Sequence, residues 1–454
     1  MFKDKEFFKT LFRIALPMVV QYVISSSMNL LDVMMIGQLG EVSVAAVGLS
    51  NQVAFLSNLM LFGILSGTGI FIAQYWGKRD LVSIHKVQGI GLSMALAGSL
   101  IFSLAGIFFP RAVLGIFTND PAVIALGSGY LRISAMTYLM TAVTFSYNTA
   151  LRSTENVRVP MFNSGTMLTL KTLLNYMLIF GLFGMPKLGI MGAAYATLIA
   201  RVLEMSVLLL IVYLKKYPVA ASPKALFSYD WLFTRRVLKT SLPVVANEVF
   251  WSLGVSMYPI VYARISTEAI AAINICSSIE NLAFTLFMAI TDATAVMVGN
   301  RIGAGEEQKA ASYGRRSLAL GIGGSLLMSV ALLLLRSTIL SIYKITPETT
   351  QSAMYILTIM ALTIWVRVSN MMLIVGILRS GGDTRFCLLM DAGGVWAVGV
   401  PMAFLGAFVF HLPVHWVYLM AMTEEFVKMG LGFWRMNSGK WLNNLTHAAI
   451  PTGE

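Results

Sequence analysis

Apolar runs of about 20 residues recur from one end of the chain to the other, each long enough to cross roughly 30 Å of hydrocarbon as a helix. Split at charged, Gly-rich or Pro-containing gaps, the pattern predicts helices at 13–37, 46–75, 87–109, 123–147, 161–184 and 192–214. A second set of six follows at 242–262, 270–298, 317–335, 348–376, 386–409 and 414–434. The fold class read from this pattern is an all-α integral membrane protein with twelve transmembrane helices. No stretch between them has room for a soluble domain.

Composition agrees with the pattern. Of 454 residues, 57% are hydrophobic and 12% charged, with a mean hydropathy of +0.76, where a soluble domain carries about 25% charged residues. The basic N-terminus "MFKDKEFFKTLFRIALPMVV" superficially resembles a secretory leader, but no small-residue cleavage site follows and the run continues to Met35 at membrane-spanning length, so it reads as a retained first helix. Cys276 and Cys387 lie in or beside apolar segments, which argues against a disulfide framework or a thiolate metal site.

The net charge of +12 is a matter of topology rather than of nucleic-acid binding. Of 33 Lys and Arg, 23 fall in the termini and alternate loops of one face, Lys3 among them. Five sit in the opposite loops (Arg111, Lys187, Arg264, Arg336, Lys344), and five lie within spans. The positive-inside rule then puts both termini in the cytoplasm of a cell (inner) membrane protein, which an even number of crossings satisfies.

The two halves repeat. A shift of 226 positions aligns Leu16 and Pro17 with Leu242 and Pro243, Thr68 with Thr294, Gly77 with Gly303 and Pro121 with Pro347. One further residue of shift brings "LRSTENVR" at 151 onto "LRSGGDTR" at 378. A repeat of six helices begins and ends on the same side, so the copies form two six-helix bundles related by a pseudo-twofold along the membrane normal. The expected organisation is an N-terminal lobe at 1–214, a charged connector at 215–241 and a C-terminal lobe at 242–454 with a short cytoplasmic tail. Two such lobes suit alternating access around a site at their interface.

Ionisable side chains at membrane depth are costly and mark candidate function. At about 1.5 Å rise per residue, Asp32, Asn175 and Thr197 all fall in the outer part of helices 1, 5 and 6, and could share one pocket. In the second half Glu248, Asp292 and Arg367 come from helices 7, 8 and 10, each roughly 9 to 12 Å from the cytoplasmic end. Arg367 is the expected counter-ion of Glu248, with Asp292 as a second acid. Their surplus negative charge would be neutralised by a proton, a sodium ion or a cationic substrate. A structural ion pair, or a cap on the kink after Pro243, accounts for Glu248 as well. Lys171 at mid-helix 5 is expected to be functional or paired, and Arg201 with Glu204 forms a local i, i+3 pair. Glu280 has no obvious partner. Asp391, Glu424, Glu425 and Lys428 in the last two helices receive no role, since packing or interfacial placement explains them equally well.

Other chemistry is thin. "GAGEEQKA" at 303 and "RSGGDTR" at 379 lack the spacing of a phosphate loop and read as cytoplasmic turns. His85, His411, His415 and His447 fall at loops or helix ends and suggest no metal cluster. The chain is therefore expected not to be an enzyme and to need no cofactor beyond a transported ion, H+ or Na+, with sodium sites conceivable near Asp32 or Glu248.

The phrases "LDVMMIGQLG" with Asp32, "NYMLIFG" at 175, "MGAAYATLIAR" at 191, "LPVVANEVFW" at 242, "VGNRIGAGEE" at 298, "GILRSGGDTRF" at 376 and "VWAVGVP" at 395 cover essentially the whole chain. In this order they resemble the multidrug and toxic compound extrusion (MATE) transporters, nearest to a bacterial NorM-like subgroup. The resemblance implies twelve helices in two bundles facing a central cleft, and export of cationic amphiphilic compounds in exchange for protons or sodium. It also implies a helix 1 acid in cation coupling, matched by Asp32. One branch carries a second Asp in helix 5 where this chain has Asn175. Other members place coupling acids in helices 7 and 10, whereas Glu248 lies several residues nearer the preceding Pro, and Arg367 or Val368 stands near the helix 10 position.

The expected function is thus an ion-coupled antiporter of cationic drugs, acting as a monomer in the lipid bilayer. Tyr22, Tyr147, Lys171, Trp251, Tyr258 and Tyr262 are candidate cleft residues, since adaptable Met and aromatic faces suit flat cations. The alternative is a lipid or glycolipid flippase of similar doubled architecture. It would favour a strongly cationic cleft, and the five in-span bases are outnumbered by acids.

Overall fold

The computed structural model describes residues 4–343 and 345–447, so Lys3 and Lys344 lie outside the described residues. Six long helices form the first half: α1 (Lys5–Gly37), α2 (Glu41–Lys78), α3 (Leu81–Phe108), α4 (Pro121–Ser153), α5 (Arg158–Phe180) and α6 (Ile190–Leu214). The second half repeats them as α7 (Trp231–Ile265), α8 (Thr267–Gly303), α9 (Glu307–Leu340), α10 (Pro347–Leu378), α11 (Thr384–Val409) and α12, whose two pieces Val414–Ala421 and Thr423–Asn437 meet at Met422. Several begin well before the apolar runs do, α7 at Trp231 and α9 at Glu307, because hydropathy marks the lipid-facing part of a helix and not the polar turns that extend into water.

Ten of these helices are long and apolar enough to cross a membrane. The other two are α5, which carries Asn163, Lys171 and Asn175, and α12, which carries Glu424, Glu425 and Lys428.

Two compact units result, Leu16–Ser241 and, together, Met1–Ala15 with Leu242–Glu454. The division falls inside α1 and α7, just ahead of Pro17 and Pro243. A proline there lacks an N–H and crowds the carbonyl four residues earlier, which lets the first turns depart from the rest of the helix. The first turns of α1 are tied to α8 and α9: Asp4 pairs with Arg316, Glu6 with Arg301 at 2.6 Å, and the Phe7 ring lies 5.1 Å from that of Tyr313. The segment 215–241 packs on the first unit. His85 on α3 donates to the Pro218 carbonyl at 2.8 Å, and a Cβ at Gly89 would meet the Leu226 carbonyl oxygen at 1.8 Å, so only glycine admits that approach.

Within the units the helix partnerships repeat. In one, α2, α3 and α4 pack on each other and α6 packs on α4 and α5; in the other, α8, α9 and α10 pack on each other and α12 packs on α10 and α11. The caps repeat too. Asp120 accepts from the Ala122 N–H at 2.8 Å ahead of Pro121, and Thr346 accepts from the Thr349 N–H at 3.2 Å ahead of Pro347, each a side-chain cap followed by a proline in the first turn.

One feature does not repeat. Among the described residues, π-helical turns occur only in the second unit, at Met372–Leu378 in α10 and at Val395–Gly399 and Leu405–Val409 in α11. The second precedes Pro401, whose ring would crowd the Ala397 carbonyl in a regular helix; the wider turn relieves it.

Candidate functional site

In the first unit Lys171 and Asn175 stand one helical turn apart on α5 and face Asp32 on α1. Lys171 Nζ donates to Asp32 Oδ2 at 2.5 Å, and Asn175 Nδ2 donates to Asp32 Oδ1 at 2.6 Å. Asp32 is buried, with 9% of its surface exposed, and Asn175 more so. A bare carboxylate at the centre of a membrane helix costs about 2.5–3.5 kcal/mol on insertion scales. Here an ammonium and an amide each hold one of its oxygens, and charge-assisted hydrogen bonds contribute roughly 1.5–3 kcal/mol apiece. Asn175 Oδ1 is buried without a partner, leaving an open acceptor beside the pair.

Sequence reasoning let Asp32, Asn175 and Thr197 share a pocket and took Lys171 as functional or paired; the structure joins Asp32, Asn175 and Lys171. Thr197 on α6 spends its hydroxyl on its own helix, donating to the Ala193 carbonyl at 2.9 Å.

The expected pairing of Glu248 with Arg367 is corrected. Glu248 Oε1 accepts from Arg379 at 2.9 Å, while Arg367 pairs with Glu280 and, at 3.6 Å, with Glu425. A shared depth along the membrane does not say which way a side chain faces. Arg379 belongs to the stretch that reads as a cytoplasmic turn, yet it sits just after the α10 π turn, donating its N–H to the Ile374 carbonyl at 3.0 Å, and is 2% exposed. Asp292 is half-buried on α8.

The repeat explains the Glu248 pair. On the shifts of 226 and 227, Glu248 corresponds to Tyr22 and Arg379 to Arg152. Arg152 donates to the Tyr22 hydroxyl at 3.2 Å and to Gln21 Oε1 at 2.7 Å. Both units therefore use an arginine at the end of the fourth helix to clamp the first helix just past its proline. Glu248 is the acidic member of a duplicated brace, held by the Arg379 guanidinium.

Sequence reasoning missed a larger network in the second unit. Lys428 on α12 donates to Asp391 on α11 at 3.0 Å and to Glu424 at 3.5 Å. Asn247 supports Asp391 at 3.1 Å and Asn370 supports Glu425 at 2.7 Å. The available signal was the i, i+4 spacing of Glu424 and Lys428 at in-span depth. The aromatic candidates are mostly packed inward: Tyr258 and Tyr262 stack at 6.5 Å in the core of the second unit, and Tyr147 bonds the Tyr213 hydroxyl at 2.9 Å. Trp251 is half-buried against the same core.

The MatE family profile matches residues 17–177 and 243–405. The matches open on Pro17 and Pro243, the pair that the internal repeat aligns. The sequence is 25% identical over 439 residues to an uncharacterised transporter of Bacillus subtilis, YisQ, spanning 97% of this chain and 96% of that one. It is 26% identical over 430 residues to a probable multidrug resistance protein, NorM, of Bradyrhizobium diazoefficiens, spanning 94% and 92%. Its fold matches that of the Vibrio cholerae MATE transporter VcmN with a TM-score of 0.88, over 97% of this chain and 98% of that one, at 19% identity.

Proposed function

The chain belongs to the MatE family, and we propose that it is an ion-coupled antiporter that exports cationic amphiphilic compounds, with Asp32 as the coupling carboxylate. The observation that carries this reading is the buried trio of Asp32, Lys171 and Asn175. A relative over nearly its whole length is named a probable multidrug resistance protein, and the Met- and Phe-rich spans supply adaptable surface for flat cations. The face rich in Lys and Arg argues for cytoplasmic termini in the cell (inner) membrane.

The trio favours a proton as the coupling ion. Protonating Asp32 removes the charge that holds Lys171, and the freed ammonium then disfavours a cationic compound nearby. A sodium ion would instead have to displace an ammonium that is covalently tethered 2.5 Å away. The order of events is proton on, Lys171 released, substrate expelled, with reversal when Asp32 loses its proton to the other side.

The test is reconstitution into vesicles and efflux of an ethidium-like dye under separately imposed proton and sodium gradients. Proton-driven efflux is expected, lost in Asp32→Asn while the variant still inserts. Gradient-driven efflux unchanged in that variant would remove Asp32 from the mechanism, and efflux driven by sodium alone would replace the proton. If neither gradient moves any cationic dye, the exporter reading falls.

A further inference from the structure

The second unit holds a polar cluster that neither the Asp32 site nor the Glu248 brace accounts for. Four carboxylates there share two cations: Asp391 and Glu424 on Lys428, and Glu280 and Glu425 on Arg367. All four are buried or nearly so, and Lys428 is 1% exposed. Two surplus negative charges in a low-dielectric interior are not sustained, so protons or other cations must reside there.

Glu424 is the least neutralised of the four. Lys428 stands nearer to Asp391, at 3.0 Å against 3.5 Å, and Asp391 and Glu425 each have an asparagine as well. Glu424 is 2% exposed, and its Oε2 has no hydrogen-bond partner. The Tyr258 hydroxyl on α7, also buried, is likewise without one. These two unsatisfied atoms face one spot: a Cβ at Gly399 would lie 2.0 Å from the Tyr258 hydroxyl and 2.2 Å from Glu424 Oε2. Gly399 closes the π turn Val395–Gly399, and such turns recur at functional sites. Glycine keeps the space between the two oxygens free.

The internal repeat converges on the same residues. On the shift of 226, Asp32 corresponds to Tyr258; on the shift of 227, Thr197 corresponds to Glu424. The second unit thus offers a tyrosine where the first offers its acid, and an acid on the sixth helix where the first has a threonine.

We propose that Glu424 is a second proton-binding site of this protein, in which the neutral carboxyl and the Tyr258 hydroxyl bond each other beside Gly399, and that it is separate from Asp32. The proton comes from solvent and binds Oε2. The charged and titratable groups around Glu424 are Tyr258 and Tyr262 from α7, Glu280 from α8, Arg367 from α10, Asp391 from α11, and Glu425 and Lys428 from its own helix. Their acids oppose a second negative charge, and the adjacent Lys428 ammonium opposes a sodium ion but not a proton that neutralises. The inference concerns the protein itself and holds whatever compound is transported.

The test is infrared spectroscopy of the purified protein in lipid bilayers across a pH titration, following the carbonyl stretch of neutral carboxylic acids. A titrating component is expected in the wild type, retained in Asp32→Asn and absent from Glu424→Gln. Its absence from the wild type, or its persistence in a folded Glu424→Gln, overturns the proposal. Exchanging choline chloride for sodium chloride at fixed pH should leave the component intact; its loss on sodium addition would give the site to sodium and overturn the proton assignment. If Glu424→Gln does not fold, Tyr258→Phe decides, with the midpoint displaced by about one pH unit through the lost hydrogen bond. An unmoved midpoint there refutes the pairing. Dye efflux does not enter this measurement, so it and the coupling role of Asp32 stand or fall apart.

Discussion

The two units share a scaffold and differ in how they hold charge inside the membrane. The first confines one carboxylate, Asp32, between one ammonium and one amide on regular helices. The second distributes four carboxylates over Lys428 and Arg367, on four helices of which α10 and α11 contain π turns. The arginine brace is common to both, as Arg152 with Tyr22 and as Arg379 with Glu248. Duplication has therefore kept what positions the helices and let the titratable chemistry diverge. One site is charge-balanced and can change state only by breaking its pair. The other carries surplus acid and can change state by gaining or losing a proton without breaking one.

Removing each site's cation tests that difference directly. Lys428→Met leaves Asp391 and Glu424 without their ammonium, and the largest loss is expected there, about 3–5 kcal/mol or more, seen as a lower melting temperature in detergent and poor recovery of folded protein. Lys171→Met strands a single carboxylate that still has Asn175, so a loss nearer 3 kcal/mol is expected, with Asp32→Asn on top restoring most of it. Equal losses in the two variants would break the comparison, because they would mean that the surplus acid of the second unit is not felt.

The brace should respond less and in proportion to charge. Glu248→Gln keeps an acceptor for Arg379 but removes the ion pair, and a loss of about 1–3 kcal/mol is expected. Tyr22→Phe deletes only a neutral hydroxyl from the equivalent brace, whose Gln21 acceptor remains, with an expected loss of about 1 kcal/mol. A larger effect from Tyr22 than from Glu248 would show that the two braces are not equivalents.

Much of the architecture was legible from hydropathy and from Pro17 and Pro243, because apolar length and proline position are local properties of the chain. Asp32 was legible too, since an acid in an apolar helix stands out by itself. The partner of Glu248 was not, because choosing between Arg367 and Arg379 depends on helix rotation and on the α10 π turn, neither of which leaves a periodic trace. Glu424 was passed over for a related reason. Its spacing to Lys428 reads as an ordinary helical pair, and the orphaned oxygen that distinguishes it appears only when Tyr258, more than 150 residues earlier, is brought to Gly399.

A pair of the same residue types outside the membrane sharpens the contrast at its weak end. Glu306, in the turn before α9, accepts from Lys309 at 3.0 Å and from Arg301 at 2.6 Å, with the lysine more than half exposed. Those two hydrogen bonds hold the Glu306 carboxyl below its usual 4.5. A depressed carboxylate stabilises the fold above its unfolded value and loses that contribution as pH falls through its lower folded value. Water screens this pair, however, and Arg301 remains when the lysine is removed. Lys309→Ala is therefore expected to cost only about 0.2–1 kcal/mol at neutral pH, with the difference from wild type vanishing once Glu306 is protonated in acid. Melting curves at neutral and acidic pH measure it. A loss approaching that of Lys428→Met would mean that burial is not what separates the two kinds of pair, and the distinction between the units would lose its physical basis.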